Sequence, residues 1–169
     1  MRPRHVGQRV PKVNDYGPLH GTGCYVDDIE HPNMLHAAIV RSPVAHGLLT
    51  SFDTQPLEEG ASVFGPERLR THIHAELPVL WRVGNQEQFS TPVVDEHLRY
   101  VGQPIGVAVA GSRYLAEDTA EAVDLTIDQL GPVVDIDQAM APDAPLLYPE
   151  SGTNVIATFE VGDTAKHDD

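Results

Sequence analysis

The alternation of apolar and polar positions is clearest from Tyr100 to Leu130, where its period changes twice. Ile105 to Ala110 is a short apolar run, partly β-branched, and predicts a buried strand. Gly111 interrupts it, and Ser112 is a favourable N-cap because its hydroxyl accepts from a first-turn amide. From Arg113 a helical period takes over. Leu115, Thr119, Ala122 and Val123 fall on one face, with Glu117, Asp118, Glu121 and Asp124 toward water. Val123, Leu125 and Ile127 then alternate with polar residues, so the chain returns to a strand. A helix between two strands predicts a crossover that covers one face of a sheet. This unit, about 99–130, reads as scaffold.

The flanking pattern predicts further elements. Residues 1–19 contain Pro3, Pro11 and Pro18 without sustained periodicity and read as an extended arm. His20 to Asp28 reads as a turn and a short strand anchored by Tyr25. Leu35 to Arg41 is a clearer strand, ended by Ser42-Pro43 because proline cannot donate to a ladder. Gly47–Asp53 and Ser62–Phe64 read as strands, Thr54–Glu59 as one helical turn, and Pro66 as the start of a helix. Thr71 to Thr91 holds Trp81 and no stable period, so it reads as a long excursion suited to partner contacts; the role of residues 66–92 stays open. A small helix at Asp137–Met140 closes the domain, 142–149 is a linker, and Asn154–Val161 is a last strand whose free edge would need a partner. These elements add up to an α+β fold with mixed sheets. The domain plan is an arm at 1–19, a body at 20–141 and a linking segment at 142–169.

Charge narrows the partners. The net charge is −14, and from Gly84 onward there are 16 acidic residues against 3 basic ones. A phosphate backbone would be repelled, which excludes nucleic-acid binding, and the excess reads as a solvated acidic face. No apolar run approaches the ~20 residues of a membrane span, and the start lacks the apolar core of a secretory signal. A cytoplasmic location without membrane contact is the expectation. The single cysteine, Cys24, excludes an internal disulfide, and an iron–sulfur cluster needs about four thiolates.

Candidate chemistry is sparse. His72, His74 and Glu76 would share one face of a strand and form a weak metal candidate without a fourth ligand nearby. The alternative is a polar loop in a chain with nine histidines. Gly21-Thr22-Gly23 lacks both the third glycine and the strand–turn–helix context of a dinucleotide fingerprint, and reads as a tight turn. Asp27, Asp28 and Glu30 read as a loop cap, and Cys24 as a small core residue. Arg41 stands at a strand end, suited either to a buried carboxylate or to a partner subunit. No catalytic residue and no cofactor-binding residue emerges.

Three stretches together carry a resemblance. Residues 21–47 hold Gly23, Tyr25, Asp27 and Asp28 in a TG-x-x-x-Y-x-DD-I pattern, then P-x-M-L-H-A, then Arg41, Ser42, Pro43 and His46 in R-S-P-x-A-H. Residues 99–123 open with Tyr100, Gly102 and Pro104 in Y-V-G-[QE]-P, and 154–163 read NVIATFEVGD. In order and spacing this resembles the amino-terminal part of the molybdopterin-binding large subunit of molybdenum hydroxylases. That family includes xanthine dehydrogenase, aldehyde oxidase and aerobic carbon monoxide dehydrogenase. The resemblance implies an α/β hammerhead domain that supports and docks, inactive by itself. It also implies a full complex holding molybdenum–molybdopterin, [2Fe-2S] and FAD, shared with the rest of the subunit and with iron–sulfur and flavin subunits or domains. Such a complex oxidises a small substrate with water-derived oxygen, and the glycine-rich loop and glutamate base of the family lie outside these residues. Two other roles fit the residues alone: a stand-alone interaction or assembly module, and a small metal-binding protein using His72, His74 and Glu76.

Overall fold

A computed structural model describes residues 12–73 and 94–159, with Gly7, Arg9 and Gly162. The chain divides into two compact units, Met1–Met34 and Leu35–Asp169.

In the first unit the end of the expected arm is helical, with a 3₁₀ turn at Val13–Asp15 running into α1 (Tyr16–Leu19). The strand expected before Asp28 is instead a 3₁₀ turn at Val26–Asp28, and Tyr25 is 68% exposed. The cause is local. The Asp28 carboxylate accepts the Tyr25 amide at 2.9 Å while the Asp28 amide donates to the Tyr25 carbonyl at 3.0 Å. An aspartate that bonds its own backbone in this way competes with a strand ladder.

The second unit contains β1 (His36–Arg41), β2 (Gly47–Thr54), β3 (Ser62–Phe64), α2 (Pro66–Arg70), β4 (His97–Leu98), β5 (Pro104–Ala110), α3 (Arg113–Glu121), β6 (Val123–Gln129) and α4 (Ile136–Ala139). They form two three-stranded sheets of order β1–β5–β3 and β4–β2–β6. The α+β hammerhead class stands, but each described pairing is antiparallel, which corrects the expectation of mixed sheets. The reason lies in α3. It packs on β1 and β5, yet the strand that follows it joins the other sheet beside β2, so the crossover links two sheets instead of returning to one.

The Ser112 hydroxyl accepts the Leu115 amide at 3.2 Å, as an N-cap should. The buried face of α3 is Ala116 and Thr119, with Ala120 half-buried; Ala122, expected inward, is exposed because it already caps the helix C-terminus. These small side chains meet Ala108 and Ala110 of β5, both fully buried. Between the sheets sit Val40, Leu49, Leu98 and Ile105, with Phe52, Leu125 and Ile127 packed around them. Phe52 occupies the place that a Cβ on Gly106 would need, at 2.7 Å from its Cζ, so glycine sets how closely the sheets approach.

Two expected elements do not form among the described residues. Thr54–Glu59 holds no helical turn: Pro56 interrupts it, and the Ala61 amide closes a tight turn onto the Glu58 carbonyl at 3.1 Å. Residues 154–159 pair with no described strand, while the strand expected over 154–161 would pair with a partner; residues 160 and 161 lie outside the described residues. Most of the expected excursion, 74–91, lies outside them as well.

Candidate functional site

The two motifs of the second unit, separated by some fifty residues of sequence, fold into one junction. Beyond β1, the Ser42 amide donates to the Gln103 carbonyl at 2.9 Å and the Gly102 amide donates to the Ser42 carbonyl at 2.8 Å. Tyr100 to Gln103 form a tight turn, closed by the Gln103 amide on the Tyr100 carbonyl at 3.2 Å. Gly102 adopts φ +86° at its corner, a conformation that glycine accepts at no steric cost. Arg41 joins the turn here, its Nη1 donating to the Gly102 carbonyl at 2.9 Å. No described carboxylate pairs with it. Pro43 follows, and the Ser42 hydroxyl donates to the Val44 carbonyl at 2.8 Å, which turns the chain into β2. Pro104 then opens β5 opposite Arg41, beside a bulge.

His46 is buried between three segments. Its Nδ1 lies 2.7 Å from the Gly131 carbonyl and its Nε2 lies 3.1 Å from Nε2 of His97, with the rings stacked at 5.3 Å. A carbonyl only accepts, so Nδ1 carries the proton; in the neutral pair, His97 Nε2–H donates to His46 Nε2. Gln103, also buried, gives its side-chain N–H to the His97 carbonyl at 3.0 Å and accepts the Arg99 amide at 2.7 Å. Arg99 completes the network. It donates to Asp95 Oδ2 at 2.5 Å and to the carbonyls of His97 and Leu147, both at 3.0 Å, and its guanidinium lies 4.4 Å over the Tyr148 ring. Asn154 ties the last described segment in: its side chain accepts the Leu147 amide at 3.0 Å and donates to the carbonyls of Ala139 and Pro145.

The electrostatics follow from this packing. Burial by itself would raise the Asp95 carboxyl, but the Arg99 hydrogen bond and the amides of His97 and Glu96 outweigh it and hold Asp95 below its usual range. His97 is pushed below the ordinary histidine value by burial first, then by the nearby Arg99 and His46. Among the described residues every buried side-chain nitrogen and oxygen has a partner. A network so satisfied has nothing left to offer a substrate, and its chemistry is that of a clasp.

The remaining sequence-predicted residues make none of the hydrogen bonds given for this clasp. His72 is exposed just after α2, with Nδ1 2.7 Å from the Thr71 hydroxyl and 3.1 Å from the Arg68 carbonyl. His74 and Glu76 lie outside the described residues, and no group of three or more metal-ligating side chains occurs among those described. Cys24, expected in a core, is exposed. Gly23 and the carboxylates Asp27 and Asp28 belong to the first unit, where Asp28 has the capping role given above. An open cleft of about 470 Å³ between β2 and α2 is lined by Thr50, Ser51, Glu67 and Arg68, and Arg68 is stacked 4.3 Å over Phe64. Asp95, His97, Arg99, Gln103 and Asn154 escaped the sequence reading. Only the polar letter inside the Tyr100–Pro104 motif hinted at Gln103.

The family described as aldehyde oxidase and xanthine dehydrogenase, a/b hammerhead domain, matches residues 20–131. The chain is 32% identical to the carbon monoxide dehydrogenase large chain of Hydrogenophaga pseudoflava, over 99% of its own length and 22% of that protein. It is 34% identical to the nicotine 6-hydroxylase large subunit of Paenarthrobacter nicotinovorans, over 77% of its length and 16% of the relative. In structure it is similar to a Cu,Mo-CO dehydrogenase with a TM-score of 0.72 and 32% identity, covering 89% of this chain and 19% of that one. No helix among the described residues is long and apolar enough to cross a membrane. With this fold, these motifs and that span, the chain belongs to the aldehyde oxidase and xanthine dehydrogenase family, to which it contributes the α/β hammerhead domain.

Proposed function

We propose that this chain acts as the supporting and docking domain of a molybdenum-dependent hydroxylase large subunit, an oxidoreductase that oxidises a small substrate with oxygen taken from water. Residues 20–141 would be the hammerhead body, 1–19 an arm and 142–169 the lead into the cofactor-binding region. The observation that carries this is the clasp. The family-motif residues Arg41, Ser42, His46 and Gly102 spend their polar groups on one another's segments, as a scaffold would and a catalytic site would not.

Molybdenum–molybdopterin, [2Fe-2S] and FAD belong to the complex in this reading. The donor set present does not fit them: one exposed thiol stands where a cluster needs about four, and the buried polar atoms are already partnered. No catalytic or cofactor-binding residue is therefore assigned here. The partners are the rest of the large subunit and the iron–sulfur and flavin subunits or domains, in the cytoplasm, and the choice of substrate rests with the catalytic part. The test is capture of the tagged chain from its native extract, with molybdenum and iron quantified in the eluate. A large partner arriving with both metals is the expected result; the chain emerging alone and metal-free would overturn the reading.

A further inference from the structure

The β1–β5–β3 sheet has two faces, and the described residues cover one of them. In an antiparallel ladder, residues directly opposite share a face. On one side lie Ala38, Val40, Gly106, Ala108 and Ala110, under α3 and Phe52. On the other side lie Ala37 and Ile39 of β1, Val107 and Val109 of β5, and Phe64 of β3, with exposed Ser62 of β3 at its edge opposite Val109. Ile39 is 43% exposed there, while Ala108 on the opposite face is fully buried.

An antiparallel sheet with one face in water alternates apolar inward and polar outward. The second sheet obeys this rule: β6 presents exposed Asp124, Thr126 and Asp128 between half-buried Val123, Leu125 and Ile127. β1 and β5 break it. Their outward positions up to Arg41 are alanine, isoleucine and valine, and none of the chain's 25 acidic residues falls on β1, β5 or β3. Among the described residues, the cations on or beside this face are Arg41, which bonds the Gly102 carbonyl, and Arg68, stacked over Phe64. A surface apolar but for Ser62 and spared by an otherwise acidic chain is made for burial against a partner, without like-charge repulsion.

We propose that this face is the seat of the catalytic remainder of the large subunit. The inference rests on the function proposed above. The occupant is chosen because relatives that align with 99% and 77% of this chain devote only 22% and 16% of their own length to that match, so most of their polypeptide stands outside this domain.

The experiment uses the tagged 169-residue chain in three forms, wild type, Ile39→Lys and Asp124→Lys, each used for capture from native extract with molybdenum measured per mole of chain. Wild type and Asp124→Lys should bring equal molybdenum. Ile39→Lys should bring at least about tenfold less, because an unpaired ammonium is costly to bury. Equal capture by all three would overturn the seat and leave the functional reading intact; no molybdenum with the wild type would overturn both. If Ile39→Lys fails to fold by circular dichroism, maleimide labelling of Ile39→Cys in a Cys24→Ser background decides the matter. Rapid labelling of the free chain, blocked in the molybdenum-bearing complex, supports the seat. Protection already present in the free chain means that its own residues cover the face, and overturns it.

Discussion

The two family-motif stretches of this chain use similar residues to opposite ends. Around Arg41–His46 and Tyr100–Pro104 the polar groups reach partners 61, 51 and 85 positions away, from within the fold. Around Gly23–Asp28 the Asp28 carboxylate accepts from Tyr25 three residues away, the Thr22 hydroxyl donates to Gly17 five away, and Tyr25 stands exposed. One motif is recognisable because it holds distant segments together. The other is recognisable while its Tyr25 ring stands exposed. A shared pattern therefore says that a residue matters without saying whether it matters inward or outward.

This contrast can be broken by substitution. The largest effect should come from Arg99→Leu, which strands the part-buried Asp95 and unbinds two carbonyls; a loss of about 3 kcal/mol is expected from denaturant unfolding. His46→Ala leaves the Gly131 carbonyl and His97 without their partner, and should cost about 2 kcal/mol by the same measurement.

Acid should attack the clasp selectively. Because His97 is held below its ordinary 6.5 in the folded state, the unfolded chain takes up that proton first as pH falls. Stability is therefore complete above about 6.5 and declines below it, by at most about 1.4 kcal/mol per pH unit for one proton. Asp95 adds a second decline: its contribution is full above 3.8 and is lost as pH drops through its lowered folded value. The difference between wild-type and His97→Gln melting curves across pH 7 to 5, about two units, isolates the first group. Parallel curves would show that the histidine pair carries no linkage.

The smallest effect belongs to the other motif. Asp28→Ala removes one exposed cap and should cost about 0.5 kcal/mol, near the resolution of thermal melts. A loss as large as that of Arg99→Leu would abolish the distinction between the two motifs.

Local periodicity made β5, α3 and β6 legible, and Ser42-Pro43 marked the end of β1, because these depend on neighbours in sequence. β4, with two residues, is too short to show a period. The pairing of His46 with His97 could not be read, since nothing in either sequence neighbourhood encodes the other. The same holds for Asn154, whose three side-chain bonds reach segments that its own neighbourhood does not encode. Asp28 misled in the opposite direction: an apolar and polar alternation was present, and a side-chain bond to the backbone overrode it.

The pairing of β1 with β5 and of β2 with β6 also sets a schedule for synthesis. Each sheet joins a strand made early to one made late, with 49 residues between the end of β2 at Thr54 and the start of β5 at Pro104. At about 5–20 residues per second, a ribosome needs roughly 3–10 s to supply the missing strand. Throughout that interval β1 and β2 lack their long-range partners, and sticky strands waiting for company are what chaperones bind. A codon-level slowing between Thr54 and Pro104 should therefore lower the yield of folded chain more than the same slowing placed after Gln129.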